Sequence, residues 1–410
     1  MTSLATGKSQ KPLAEPRVPL ARPDLGEEEA AAARRVLLSG WLTQGPEVRA
    51  FEQEFAAFTG APEAIAVSSG TAALELVLHA LGIAAGSEVV TVSHSFIAAA
   101  NAVRRSGAMP VFVDIGHGGF NIDPARVAEA IGPRTRAILA VHQIGMPCDL
   151  AALVKIAGER RLPLIEDAAC AAGSEILWEG QWERIGRPRG VAACFSFHPR
   201  KIMTAGDGGM ITTGDRALAA HMRRLRIHGI DIDAEVRHRS GVVIERYAEA
   251  GFNMRLTDIQ AAIGRVQLKR LAAIVARRRA LAWRYAERLG AMAGLGLPKE
   301  PAWARSNWQS YCIGLPSWCE QREVMEHLAS VGIATRRGIM CAHREAAYPA
   351  GTWLCRPGAR QCNCAEGSCA RLAESERAQD RSIQIPLFSS MSEAEQDYVI
   401  DALAAACRER

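Results

Sequence analysis

From residue 24 onward, apolar positions alternate between two rhythms. Steps of three and four residues predict amphipathic helices over about 24–38 and 47–58. Asp24 can cap the first, with Glu27, Glu28 and Glu29 in its positive first turn and Ser39-Gly40 as its stop. A Gly-Pro turn at 45–46 leads into the second. Short apolar runs at Ala64–Val67, Glu88–Val92, Pro110–Asp114, Ala137–His142 and Leu162–Ile165 then read as strands. Between them lie helical stretches from Thr71 to Leu81, Ile97–Ser106, Pro124–Ile131 and Leu150–Arg160. Strands alternating with helices predict an α/β body with a mostly parallel sheet covered on both faces, and ligands then bind beyond the carboxyl ends of the strands.

Near residue 258 the rhythm changes. Residues 256–289 read as one long helix, with Arg277-Arg278-Arg279 as a solvated face. A smaller α+β section follows, with strands near Ser310–Leu315 and Ile383–Ile385 and a last helix from Ser392. The expected organisation is a disordered tail at 1–17, a large domain at 18–268 and a small C-terminal domain at 269–410. The last contains a loop insertion at 351–376, rich in Gly, Cys and charge.

Composition narrows the class. With 410 residues, 49% apolar and 23% charged, the chain resembles an ordinary globular protein with a large core. A net charge of +5, spread along the chain, gives no dense basic face for nucleic acid. No run of about 18 apolar residues suggests a membrane span. The N-terminus lacks an apolar signal core, so a cytoplasmic location is expected. Eleven cysteines there imply reduced thiols rather than a disulfide framework.

Three turns after predicted strands carry candidate chemistry. Ser68-Ser69-Gly70-Thr71 opens a helix and offers free N–H groups to a phosphate, or serves as a plain cap. Asp167 ends an apolar strand at the ligand edge of the sheet, where an acid can pair with a protonated ring nitrogen, or cap. The third is Cys194-Phe-Ser-Phe-His-Pro-Arg-Lys201, followed by Gly206, Gly208 and Gly209. Six of the 49 basic residues are lysines, and only Lys201 sits in an apolar, glycine-rich setting. Desolvation favours a neutral, nucleophilic amine. A phosphate cradle, an acid and such a lysine, at 71, 167 and 201, are what pyridoxal 5'-phosphate (PLP) requires.

Six motifs in order give the chain a specific resemblance. They are Ser39-Gly-Trp-Leu-Thr-Gln-Gly-Pro46; Ser69-Gly-Thr-Ala-Ala-Leu74; Ser95-Phe-Ile-Ala-Ala-Ala-Asn101; Glu166-Asp-Ala-Ala169; Phe195 to Lys201 with Gly206-Asp-Gly-Gly209; and Gly251 to Gly264. Over about 18–405 the chain resembles the DegT family of sugar aminotransferases, PLP enzymes of fold type I. The resemblance implies that Lys201 forms the Schiff base and Asp167 pairs with the pyridine nitrogen. Phe96 would stack on the ring, and Gly70, Thr71 and Ser196 would bind the phosphate. Asn253 would reach the phosphate from a partner subunit, making the active unit a homodimer. Thr43, His343 and Arg336 are substrate-side candidates. Arg336, with Arg337, could meet the acidic group of a nucleotide diphosphate. His198 could merely pack on its turn.

Two features depart from the family pattern. Cys170 stands three residues after the acid, where the family usually has Gln or His, so it enters the set near the cofactor ring. The segment 351–376 is long and holds Cys355, Cys362, Cys364 and Cys369. These read as free thiols in a loop, with a tetrahedral zinc site as the alternative.

The expected activity is transfer of an amine from Glu or Gln to a keto-sugar, expected to be nucleotide-linked, in amino-sugar or antibiotic biosynthesis. A keto-cyclitol acceptor is the nearest alternative. A sugar dehydratase is disfavoured because relatives of that kind carry histidine at the lysine position. A PLP-binding regulator is disfavoured by the intact Lys201 and Asp167.

Overall fold

The structure, a computed structural model, describes residues 16–231, 244–356, 364 and 367–408. Most of the tail expected at 1–17, and Cys362, lie outside the described residues. Two helices come first, α1 (Glu27–Ser39) and α2 (Pro46–Thr59). The alternating body follows: β1 (Glu63–Val67), α3 (Gly70–Ala80), β2 (Glu88–Val92), α4 (Ala98–Arg105), β3 (Met109–Val113), α5 (Pro124–Ala130), β4 (Thr135–Val141), α6 (Leu150–Arg160) and β5 (Leu164–Asp167). Then come β6 (Glu175–Trp178), β7 (Gln181–Arg184), β8 (Ala192–Ser196), β9 (Gly209–Thr213) and α7 (Arg216–Leu225).

Seven of these strands form one sheet in the order β1-β9-β8-β5-β4-β2-β3. The neighbours from β8 to β3 pair in parallel, and β9 runs against both β1 and β8. Its strands are almost wholly buried, as a parallel sheet covered on both faces requires. One consequence fixes the site. The C-terminal ends of β4, β5 and β8 lie side by side and deliver Gln143, Asp167 and Ser196 to one edge.

Strands β6 and β7 form a hairpin. Glu179 (φ 49°) and Gly180 (φ 81°) both take left-handed backbone, the two-residue turn that suits the twist of β6 and β7.

The long helix, α8 (Asp258–Leu289), runs unbroken through residue 268, where the sequence suggests a domain boundary. Its Leu268, Leu271, Ile274 and Val275 pack into the core of the large sheet. Further along, Leu281, Tyr285 and Leu289 join a second core. The remaining elements are β10 (Ala304–Arg305), β11 (Tyr311–Gly314), α9 (Gln321–Ser330), β12 (Arg336–Arg337), α10 (Ala373–Arg381), β13 (Ser382–Ile385) and α11 (Glu393–Ala406), and the second core draws on β11, α9, β13 and α11. Strands β11, β13 and β12 form its antiparallel sheet. Among the described residues no helix is long and apolar enough to cross a membrane.

Candidate active site

A cavity of about 1130 Å³ opens where the large sheet's strand ends meet the second core. It gathers Gly70, Thr71, Phe96, Asp167, Cys170, Ser196, Lys201 and Arg336. Sequence reasoning named all eight, from segments as far apart as 70 and 336.

The phosphate end is shaped by close packing. Ser69 caps α3, its hydroxyl accepting from Ala72 N–H at 3.0 Å. Gly70 opens the helix, and a Cβ there would stand 2.8 Å from the Cβ of Ser196. A Cβ on Gly209 would meet the Ser69 carbonyl at 2.5 Å. Two glycines thus let the end of β8 touch the N-terminus of α3. Its free N–H groups and positive dipole end lie beside the Thr71 and Ser196 hydroxyls.

Lys201 follows in a tight loop. Thr204 Oγ1 and Ala205 N–H both donate to the Phe197 carbonyl, and Lys201 N–H donates to the His198 carbonyl. Gly208, at φ 136°, closes the loop where a Cβ would strike Leu256. The Lys201 amine donates to Cys170 Sγ at 3.1 Å, so the residue that departs from the family pattern touches the reactive lysine. His198 is exposed and accepts from Arg200 N–H through Nδ1, a turn-packing role, although it also lines the cavity.

Asp167 is buried, and one of its oxygens accepts from Ala169 N–H at 3.0 Å. Burial pushes its carboxyl above the ordinary range, against the Ala169 N–H and the Lys201 charge, which pull it down. Its neighbour Glu166 points to the opposite face of the sheet. Glu166 accepts from His142 Nε2 at 3.0 Å and from Gly190 N–H at 3.2 Å. Cys148 N–H donates into His142 Nδ1, which assigns the ring proton to Nε2. This buried pair braces the two strands that present Asp167.

Other wall residues went unnamed in the sequence reading. Gln143, Gln309 and Ser310 line the cavity. Gln143 could have been found by the rule that found Asp167, since it follows β4 just as Asp167 ends β5. Arg200 lies close enough to Arg336 that the neighbouring charge, after burial itself, lowers its affinity for the proton. Among the described residues no carboxylate stands within ion-pair distance of either guanidinium, whereas Arg337 is paired with Glu345 at 2.8 Å.

Three named residues are not on this wall. His343 is a correction: its ring is buried, with Nδ1 at 2.7 Å from Ser93 Oγ and Nε2 at 3.1 Å from Glu376. Both nitrogens are taken, so it supports the loop before Phe96 instead of facing the cavity. Thr43 is exposed beside the start of α8, and Asn253 is exposed in the strand-like segment paired with Ile227.

An amine, a buried carboxylate and a helix N-terminus on one wall, at the strand ends of a mainly parallel sheet, fit PLP and define the fold type I class of enzymes that use it. The chain belongs to the DegT/DnrJ/EryC1/StrS aminotransferase family, whose sequence pattern it matches over residues 23–404, and it is a PLP-dependent aminotransferase. Among solved structures it is similar to the aminotransferase TlmJ of Streptoalloteichus hindustanus: 33% identity, 95% of this chain against 98% of that one, TM-score 0.83. It is also similar to DesV of S. venezuelae, solved in complex with a ketimine intermediate: 34% identity, 96% against 100%, TM-score 0.83. An aminotransferase from Psychrobacter cryohalolentis matches at 29% identity, 94% against 97%, TM-score 0.83.

Proposed function

We propose that the chain moves an amino group from glutamate or glutamine to a nucleotide-linked keto-sugar, using PLP held by the residues above. The observation that carries this reading is the convergence of Lys201, Asp167 and the α3 N-terminus on one cavity. The N–H groups at Gly70 and Thr71, with the Ser196 hydroxyl, would hold the phosphate, and Phe96 would cover the ring. Asp167 would keep the ring nitrogen protonated, and Cys170 would lie beside it. When bound, PLP supplies an electron-withdrawing ring that stabilises charge on the carbon bearing the amine. Lys201 Nζ is the base that takes and returns the proton at that carbon, and its contact with Cys170 Sγ sets its resting direction. The active unit is a homodimer in which Asn253 serves the partner's cavity.

The pair Arg200 and Arg336, without a carboxylate partner among the described residues, favours an acceptor with a diphosphate over an uncharged keto-cyclitol. The test is a screen of nucleotide-linked keto-sugars and keto-cyclitols with both donors. Turnover of a nucleotide-linked sugar by the native chain, abolished in Lys201→Ala, supports the reading. Turnover of cyclitols alone overturns the acceptor. Failure of every donor to change the bound cofactor's visible absorption overturns catalysis.

A further inference from the structure

Beneath the loop that carries Phe96, a second group of side chains converges that amine transfer does not use. The sulfur atoms of Cys355, Cys364 and Cys369 all lie within 4.8 Å of one another. Cys355 and Cys364 are 3.9 Å apart, and Cys364 and Cys369 are 2.9 Å apart. In a tetrahedral zinc site with Zn–S near 2.3 Å, sulfurs stand about 3.8 Å apart. The three therefore sit within about 1 Å of the separation such an ion imposes.

Their surroundings are organised around them. Cys355 and Cys369 are buried in a small apolar cluster with Phe112, Trp353 and Leu372. On one side, Leu354 is held by β3, donating to the Pro110 carbonyl and accepting from Phe112 N–H. On the other, Cys369 N–H donates to the Glu376 carboxylate at 2.5 Å, and Arg344 donates to the Gly367 carbonyl. The chain is thus pinned just before Cys355 and around Cys369, and the sulfurs join the two pinned ends. Three sulfurs of one small cluster suit a soft, thiolate-seeking ion far better than they suit the ordinary contacts of a core.

We propose that, in the reduced chain, Cys355, Cys364 and Cys369 bind one zinc ion as thiolates, a fourth ligand coming from outside these three. In this structure Cys355 is disulfide-bonded. A thiol reductant opens that bond by giving it two electrons, and its own thiols become the disulfide. The three thiols then release their protons to solvent as zinc binds. The ion ties Cys355 to Cys364 and Cys369 and acts on catalysis only through position. Glu376 runs from Cys369 to His343, and His343 runs to Ser93 at the root of the Phe96 loop.

The test is zinc content of the full-length holoenzyme, purified with a non-chelating phosphine reductant and freed of loose metal. About one zinc per chain is expected. It should fall at least tenfold in the Cys364→Ser/Cys369→Ser double variant and remain in Cys407→Ser. Cobalt exchanged into the native protein should show the charge-transfer and visible bands of a thiolate-bound tetrahedral ion, a reading that does not depend on any variant folding. Native protein without zinc, zinc that survives the double substitution, iron with sulfide in its place, or cobalt without thiolate bands would each overturn the proposal.

Discussion

The Lys201 amine and the Asp167 carboxylate enter the cavity from the ends of neighbouring strands, and each makes a separable prediction. Lys201→Ala should lose turnover entirely while its far-UV spectrum and melting stay native, because among the described residues the amine's one hydrogen bond is to Cys170. Borohydride trapping with peptide mapping should place the cofactor on residue 201 in the native chain and nowhere in the variant. For Asp167 the sign follows from burial. Its folded pKa is raised above the unfolded value. The stability it confers on the cofactor-free chain is therefore present below the ordinary carboxylate pKa and lost as pH rises through the raised value. Cofactor-free Asp167→Asn should melt no lower than the native chain at neutral pH, and the difference should shrink toward about pH 4, where both side chains are neutral. With cofactor the order reverses. Removing one charged partner costs about 1.5–3 kcal/mol, roughly a 10- to 150-fold loss in kcat/KM. Arg336→Ala should raise KM for a nucleotide-linked acceptor by a similar factor and leave KM for glutamate unchanged, since only the acceptor carries the diphosphate.

At the scale of elements, the join between α2 and α8 offers another measurement. The fully buried Asp258 carboxylate accepts from Gly45 N–H at 2.7 Å and Glu47 N–H at 2.9 Å. Asp258→Ala leaves both donors unpaired inside the protein, a cost of about 2–4 kcal/mol that thermal or urea melts would register. Legibility also divides at this scale. The alternating strands and helices from 64 to 167 could be read directly, because a sheet covered on both faces demands short, nearly all-apolar runs. Strand β9 could not: its first residue, Gly209, packs closely against Ser69, a contact between residues far apart in the sequence. Hairpin β6–β7 was missed although Glu179-Gly180 is a turn signal, because its flanking residues are mixed in polarity. The site followed the same logic. Residues that end strands or open helices were recovered from local sequence. His343 misled because its sequence position does not reveal that Ser93 and Glu376 already hold its ring. The brace of His142 and Glu166 went unnoticed because it exists only once β4 and β5 are paired.

For the whole molecule, the placement of Asn253 poses the sharpest question. It is exposed and lies off the wall of its own chain's cavity, while Phe96 on that wall is 64% exposed. An exposed aromatic beside a functional cavity suits a surface that a second copy covers. If Asn253 completes the partner's site, then Lys201→Ala and Asn253→Ala damage different cavities within a mixed dimer. Each variant alone should be nearly inactive. In a randomly mixed population half the dimers are heterodimers. In each of these, one site carries both substitutions and the other carries neither. Co-expression or co-refolding in equal amounts should therefore restore about a quarter of native turnover per chain, and sizing should give twice the mass of the chain. A mixture that stays as inactive as its components, from material shown to exchange subunits, would mean that Asn253 acts within its own chain or not at all. An Asn253→Ala protein with native kcat and KM would remove it from the site altogether. Complementation reads the shared architecture without knowledge of the natural sugar, because any acceptor that turns over measurably reports how many intact sites the mixture holds.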